Sequence, residues 1–71
     1  MGYRRLCTLL RTWREDAGLT QRALAQRLRK PHSFVYKTEV GNRRLDVTEF
    51  IAWCRACDRD PAESVRVVEK A

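Results

Sequence analysis

Seventy-one residues make one domain with a modest core, and 44% apolar residues with 8% aromatics exclude a disordered chain. The chain has no apolar run of membrane-spanning length and no signal-peptide pattern. Leu6 stands where a myristoylation signal opening on Met1-Gly2 needs Ser or Thr, so the expectation is a soluble cytoplasmic protein. The net charge of +6 is concentrated: residues 20–44 hold seven bases (Arg22, Arg27, Arg29, Lys30, Lys37, Arg43, Arg44) against Glu39 alone, and the remainder balances eight against eight.

In chain order the pattern predicts five helices and no strands. The first covers residues 3–17, with Leu6, Leu10 and Trp13 at helical spacing, Leu9 beside them, and Gly18 as a left-handed stop. Thr20 caps the second, 21–28, whose inner face is Leu24, Ala25 and Leu28; the small Ala25 lets another backbone approach. Arg29-Lys30-Pro31 breaks the chain, because proline suits a first helical turn and not its interior. The third helix then runs from about 31 to 39 or 40. Phe34 and Val35 face inward, and His32, Ser33, Tyr36 and Lys37 face out.

Gly41-Asn42 reads as a turn, and Asp46 with Glu49 as a capping box opening a fourth helix to about 57. Its buried stripe is expected to be Val47, Phe50, Ile51, Cys54 and Cys57. Asp60-Pro61-Ala62-Glu63 repeats the device for a fifth helix to about 70. On that helix Val65 and Val68 lie three apart with Val67 beside them. They either close the core or, together with Trp53, form a two-fold interface.

The residues exclude several chemistries. Cys54 and Cys57 are spaced C-x-x-C, but one pair offers two ligands where structural zinc takes four. Cys7 and His32 are the only other candidates, and both cysteines fall on the inner stripe, which favours buried reduced thiols. Gly2, Gly18 and Gly41 are the only glycines, too few and too scattered for a phosphate-cradling loop. No carboxylate pair stands beside a nucleophile or base, so neither an enzyme nor a cofactor is expected. Arg4, Arg5, Arg11, Arg55, Arg59 and Arg66 read as solvated surface.

A basic two-helix unit in an otherwise neutral domain implies a DNA-reading surface, since the major groove admits one helix held rigidly by another. The segments LRTWREDAGLTQRALAQRL and KPHSFVYKTEVGNRRLDVTEFIAWCRACDRDP, spanning residues 10–61, resemble the Cro/phage-repressor (XRE-type) helix-turn-helix family. The resemblance implies a compact lambda-repressor-like five-helix domain over 1–71, with the helix-turn-helix at about 20–40. By position it implies that Gln21 anchors a phosphate and braces the reading helix. It implies that His32, Ser33 and, one turn on, Lys37 meet bases, with Tyr36 added on the same face. Asn42, Arg43 and Arg44 correspond to the family's phosphate contacts, and Arg14 and Glu39 to an internal salt bridge.

Three positions depart from the family pattern. Arg29 stands where the turn usually has Gly, Tyr36 where a small residue is usual, and Asp58 where Gly often follows the fourth helix. The implied function is sequence-specific binding of double-stranded DNA by a small regulator, a repressor acting as a homodimer on a palindromic operator. An antitoxin that also binds a toxin protein, and a scaffold used for protein contact only, are the alternatives.

Overall fold

The computed structural model describes residues 2–71, and among them are five helices and no strand: α1 Tyr3–Asp16, α2 Gln21–Leu28, α3 His32–Glu39, α4 Val47–Ala56 and α5 Pro61–Lys70. The starts of α2, α4 and α5 follow from side chains that satisfy the orphan amides of a first turn. Thr20 Oγ1 accepts from the Ala23 amide at 3.0 Å. Asp46 and Glu49 close a reciprocal capping box, with the Glu49 amide on Asp46 Oδ1 at 2.8 Å and the Asp46 amide on Glu49 Oε1 at 3.0 Å. Asp60 caps α5 ahead of Pro61. Pro31 lies just outside α3, extended at ψ 147°, and its carbonyl accepts from the Phe34 amide.

The ends of α1 to α4 share one closure, a left-handed residue followed by a six-to-one backbone bond. Leu19 bonds back to Arg14, Lys30 to Ala25, Asn42 to Lys37 and Arg59 to Cys54. The left-handed residues are Gly18, Arg29, Gly41 and Asp58. Arg29 therefore adopts the glycine geometry itself, at φ 57° and ψ 43°, rather than altering the turn.

The core joins Leu10 and Trp13 of α1, Leu24 and Ala25 of α2, Phe34 and Val35 of α3, and Trp53, Cys54 and Cys57 at α4. Helix α2 packs on α3 and α4, α1 on α3 and α5, and α5 on α4. Trp53 is wholly buried, and its indole Nε1 donates to the Leu10 carbonyl at 3.2 Å. All three cysteines are buried free thiols, and burial, then the neighbouring Cys54, pushes the Cys57 thiol up to about 11. No helix among the described residues is long and apolar enough to cross a membrane.

Four expectations need correction. The inner stripe of α4 is Phe50, Trp53, Cys54 and Cys57; Val47 is 74% exposed and Ile51 also lies at the surface. Val47 begins the helix and is exposed, and Ile51 lies two residues, about 200° round the helix, from the fully buried Trp53. Trp53 consequently cannot serve an interface with another chain. On α5, Val67 and Val68 pack on the core, Ser64 is fully buried, and Val65 is left 54% exposed. Arg59 is not free surface either: it lies 4.3 Å over the Trp13 ring, and its Nε donates to Ser64 Oγ at 3.0 Å.

Candidate nucleic-acid interface

Helix α3 stands on a polar anchor at its C-terminal end. Arg14 of α1 grips Glu39 with two bonds, Nε to Oε2 at 2.6 Å and Nη2 to Oε1 at 3.1 Å, and its third nitrogen donates to the Leu19 carbonyl at 2.8 Å. Gln21 Nε2 adds a bond to Glu39 Oε1 at 3.0 Å. Only 9% of the Arg14 side chain and 3% of the Glu39 side chain reach solvent. The hydrogen-bonded carboxylate raises the arginine's affinity for its proton further. One carboxylate thus ties three helices together. Thr38, buried beside it, returns its hydroxyl to the Phe34 carbonyl.

The opposite side of α3 is open. His32, Tyr36 and Lys37 are exposed and Ser33 is half-buried, while Phe34 and Val35 are held in the core. Tyr36 presents 53% of its surface. His32 also borders a notch of about 290 Å³ with Arg22, Gln26 and Lys30, between α2 and the start of α3. The sequence-derived reading residues therefore share one face.

The loop after α3 sorts its residues differently. Asn42 is exposed, and its amide closes the helix on the Lys37 carbonyl. Arg43 is half-buried and turned back on the fold: it meets Glu49 with two bonds, at 2.8 and 3.0 Å, reaches the Arg44 carbonyl, and lies 4.5 Å over the Phe34 ring. Its guanidinium holds the Glu49 carboxyl below the ordinary range. Lys30 approaches the same carboxylate at 3.8 Å. Arg44 points out, stacked 4.4 Å over the Tyr3 ring.

The basic segment therefore divides in two. Lys30 and Arg43 are tied to Glu49, and Arg27 donates to the Ala56 carbonyl at the end of α4 at 2.8 Å. Arg22, Arg29, Lys37 and Arg44 have no anionic partner among the described residues. Sequence reasoning missed Tyr3, Arg27 and the second role of Glu49. The capping box marked Glu49, but nothing local shows that the same carboxylate takes Arg43. Tyr3 acts on a loop some forty positions away. Among the described residues, no group of three His, Cys, Asp or Glu could hold a metal ion.

The sequence profile described as a helix-turn-helix domain matches residues 5–66. Among solved structures, an XRE-family like protein from Pseudomonas syringae pv. tomato str. DC3000 is 47% identical and superposes with a TM-score of 0.90. The match covers 96% of this chain and 83% of that one. No curated protein matches. With a braced α3 presenting an open polar face and a profile spanning nearly the whole domain, the chain belongs to the XRE-type helix-turn-helix family of DNA-binding regulators.

Proposed function

We propose that the protein is a cytoplasmic, sequence-specific transcriptional repressor that binds double-stranded DNA as a homodimer on a palindromic operator. The observation that carries this reading is the separation of the basic residues into a set bonded within the fold and a set left without an anionic partner among the described residues. Arg22, Arg29, Lys37 and Arg44 stay unpaired around the open face of α3, where a duplex would supply the missing anions. In this reading His32, Ser33, Tyr36 and Lys37 read base edges, with Lys37 suited to guanine O6 and N7 and the Tyr36 ring to a thymine methyl. Gln21, Asn42, Arg44, Arg22 and Arg29 meet phosphates. Arg43 supports them from behind through Glu49, a different part from the direct phosphate contact that family position implies.

One short reading helix touches few bases, so specificity calls for two copies about one DNA turn apart, about 34 Å. A second copy has a place to sit. Leu6, Leu45, Val47, Ile51 and Val65 border an apolar groove of about 600 Å³ between α1, α4 and α5. The groove begins directly after Arg44, so a copy seated there brings its own basic loop to the same duplex. Its border also carries Arg55, Asp46 and Asp60, charges of both signs that a two-fold copy can pair. The test is a titration of duplex pools selected from random sequence. Affinity should fall by about 10³–10⁵ between 50 and 200 mM salt for about 6–10 phosphate contacts, and the recovered sites should be inverted repeats. Salt-independent binding would overturn the DNA reading, and selected sites without symmetry would overturn the dimer.

A further inference from the structure

Arg44 is held by an aromatic residue from the first turn of α1. The Tyr3 hydroxyl donates to the Arg43 carbonyl at 2.9 Å and accepts from the Leu45 amide at 3.1 Å, so one oxygen spans the two peptide groups that flank Arg44. The Tyr3 ring lies 4.4 Å beneath the Arg44 guanidinium. From the other side, Arg43 Nη1 fixes the Arg44 carbonyl at 3.0 Å, and Arg43 is itself fixed by Glu49. The backbone around Arg44 is therefore bonded before it, at it and after it. Its side chain rests on a ring and has no anionic partner among the described residues.

A long, exposed arginine normally samples many rotamers, and ordering it on binding costs affinity. A guanidinium resting over a ring keeps its N–H groups in its own plane, free to donate to a planar or tetrahedral anion. We propose that Tyr3 is a positioning residue for the interface: it pre-orders Arg44 and the loop around it to receive a backbone phosphate of the duplex. This rests on the DNA reading above and adds that the first turn of α1, which carries none of the reading residues, sets the strength of a contact made after α3. The contact is to phosphate and independent of sequence.

The experiment is a double-mutant cycle on duplex binding, using Tyr3→Leu, Tyr3→Phe and Arg44→Ala on selected and scrambled DNA. Tyr3→Leu, which removes ring and hydroxyl together, should weaken binding about two- to fivefold on both duplexes, the scale of one exposed cation–π contact. Tyr3→Phe, which keeps the ring and loses the loop bonds, should weaken it less and should keep the fold if Tyr3→Leu unfolds. In the Arg44→Ala background both Tyr3 changes should lose their effect on affinity, and Arg44→Ala alone should lower the salt slope. A Tyr3 effect of equal size with and without Arg44 would overturn the proposal by showing a general structural role. So would unchanged affinity in a folded Tyr3→Phe protein that still binds through Arg44. Wild-type protein that binds neither duplex would overturn the DNA reading itself, so the two failures are distinguishable.

Discussion

Gln21 and Glu39 join the two helices of the turn: the Gln21 amide donates to the carboxylate that Arg14 already grips from α1. Removing Glu39 takes the acceptor from both donors at once and leaves a buried guanidinium with the Leu19 carbonyl and, 3.9 Å away, the exposed Glu15 carboxylate. Glu39→Ala should therefore destabilise the fold by about 3–5 kcal/mol, seen as a lower melting temperature. Gln21→Ala removes one bond and should cost about 1 kcal/mol. An unaltered melt in Glu39→Ala would show that the network does not hold the helices.

Lys37 and His32 lie on the open face of α3, and Arg44 lies beyond it on the loop. Lys37→Ala and His32→Ala should relax base preference, costing about 1–3 kcal/mol on the selected site and less on scrambled DNA. Arg44→Ala should weaken both duplexes alike. Equal losses on the two DNAs for Lys37→Ala would remove it from base reading. Arg43→Ala should differ from all three by lowering the melting temperature, since its partner is Glu49.

Acid should loosen the loop. The Arg43 guanidinium and then the Asp46 amide hold the Glu49 carboxyl below its ordinary 4.5, and hydrogen bonds from Thr48 and the Glu49 amide lower Asp46 as well. A depressed carboxyl binds its proton more weakly in the folded chain than in the unfolded one. Its stabilisation is complete above about pH 4.5 and is lost as pH falls through the lower folded value. Thermal melts taken downward from about pH 6 to 3 should show this decline, and Glu49→Gln should flatten its part of the slope. A Glu49→Gln protein with the same acid profile would place the sensitivity elsewhere.

Arg29 occupies a left-handed conformation that L side chains adopt only against a penalty. Arg29→Gly relieves it, offset by glycine's greater freedom when unfolded, so the net gain should be about 0.5–1 kcal/mol in urea titrations. The same change should lower duplex affinity on every sequence, because it deletes an unpaired cation beside α3. Loss of stability would show that the arginine side chain contributes more than its backbone costs.

Val65 and Ile51 line the apolar groove, whereas Val67 packs on the core. Val65→Glu and Ile51→Glu should give folded monomers with much weaker operator binding. Val67→Glu should instead reduce folding. Sedimentation beside the helical signal separates these results, and dimers that survive both groove changes would move the interface off this face.

The architecture was legible because its boundaries are written locally. Thr20, Asp46 and Asp60 cap, Pro61 starts a helix, and Gly18 and Gly41 end two others. The outward face of α3 was legible for the same reason: Phe34 and Val35 set the phase of a short helix, and His32, Tyr36 and Lys37 follow. Two things were not. Which of Val47 and Ile51 on α4 and of the valines on α5 are covered follows from the burial of Trp53 and Ser64, a property of packing that the apolar pattern did not single out. The fates of equal arginines were also hidden. Arg43 and Arg44 are neighbours of one type, yet one turns to Glu49 and the other to Tyr3, and only the folded loop tells them apart.

The convergence of α1, α2 and α3 on the single carboxylate of Glu39 bears on the calorimetry of recognition. A reading helix already bolted to two others has no coil-to-helix transition left to undergo when a duplex arrives. Most complexes that fold as they bind show a large negative heat-capacity change from newly buried apolar surface, together with a steep enthalpy offset by ordering. Here Phe34 and Val35 are buried beforehand, so the Tyr36 ring is the main apolar surface of α3 left for a duplex to cover. The heat capacity of association should be small for each protomer that docks, and any larger value should scale with closure of the groove between two copies.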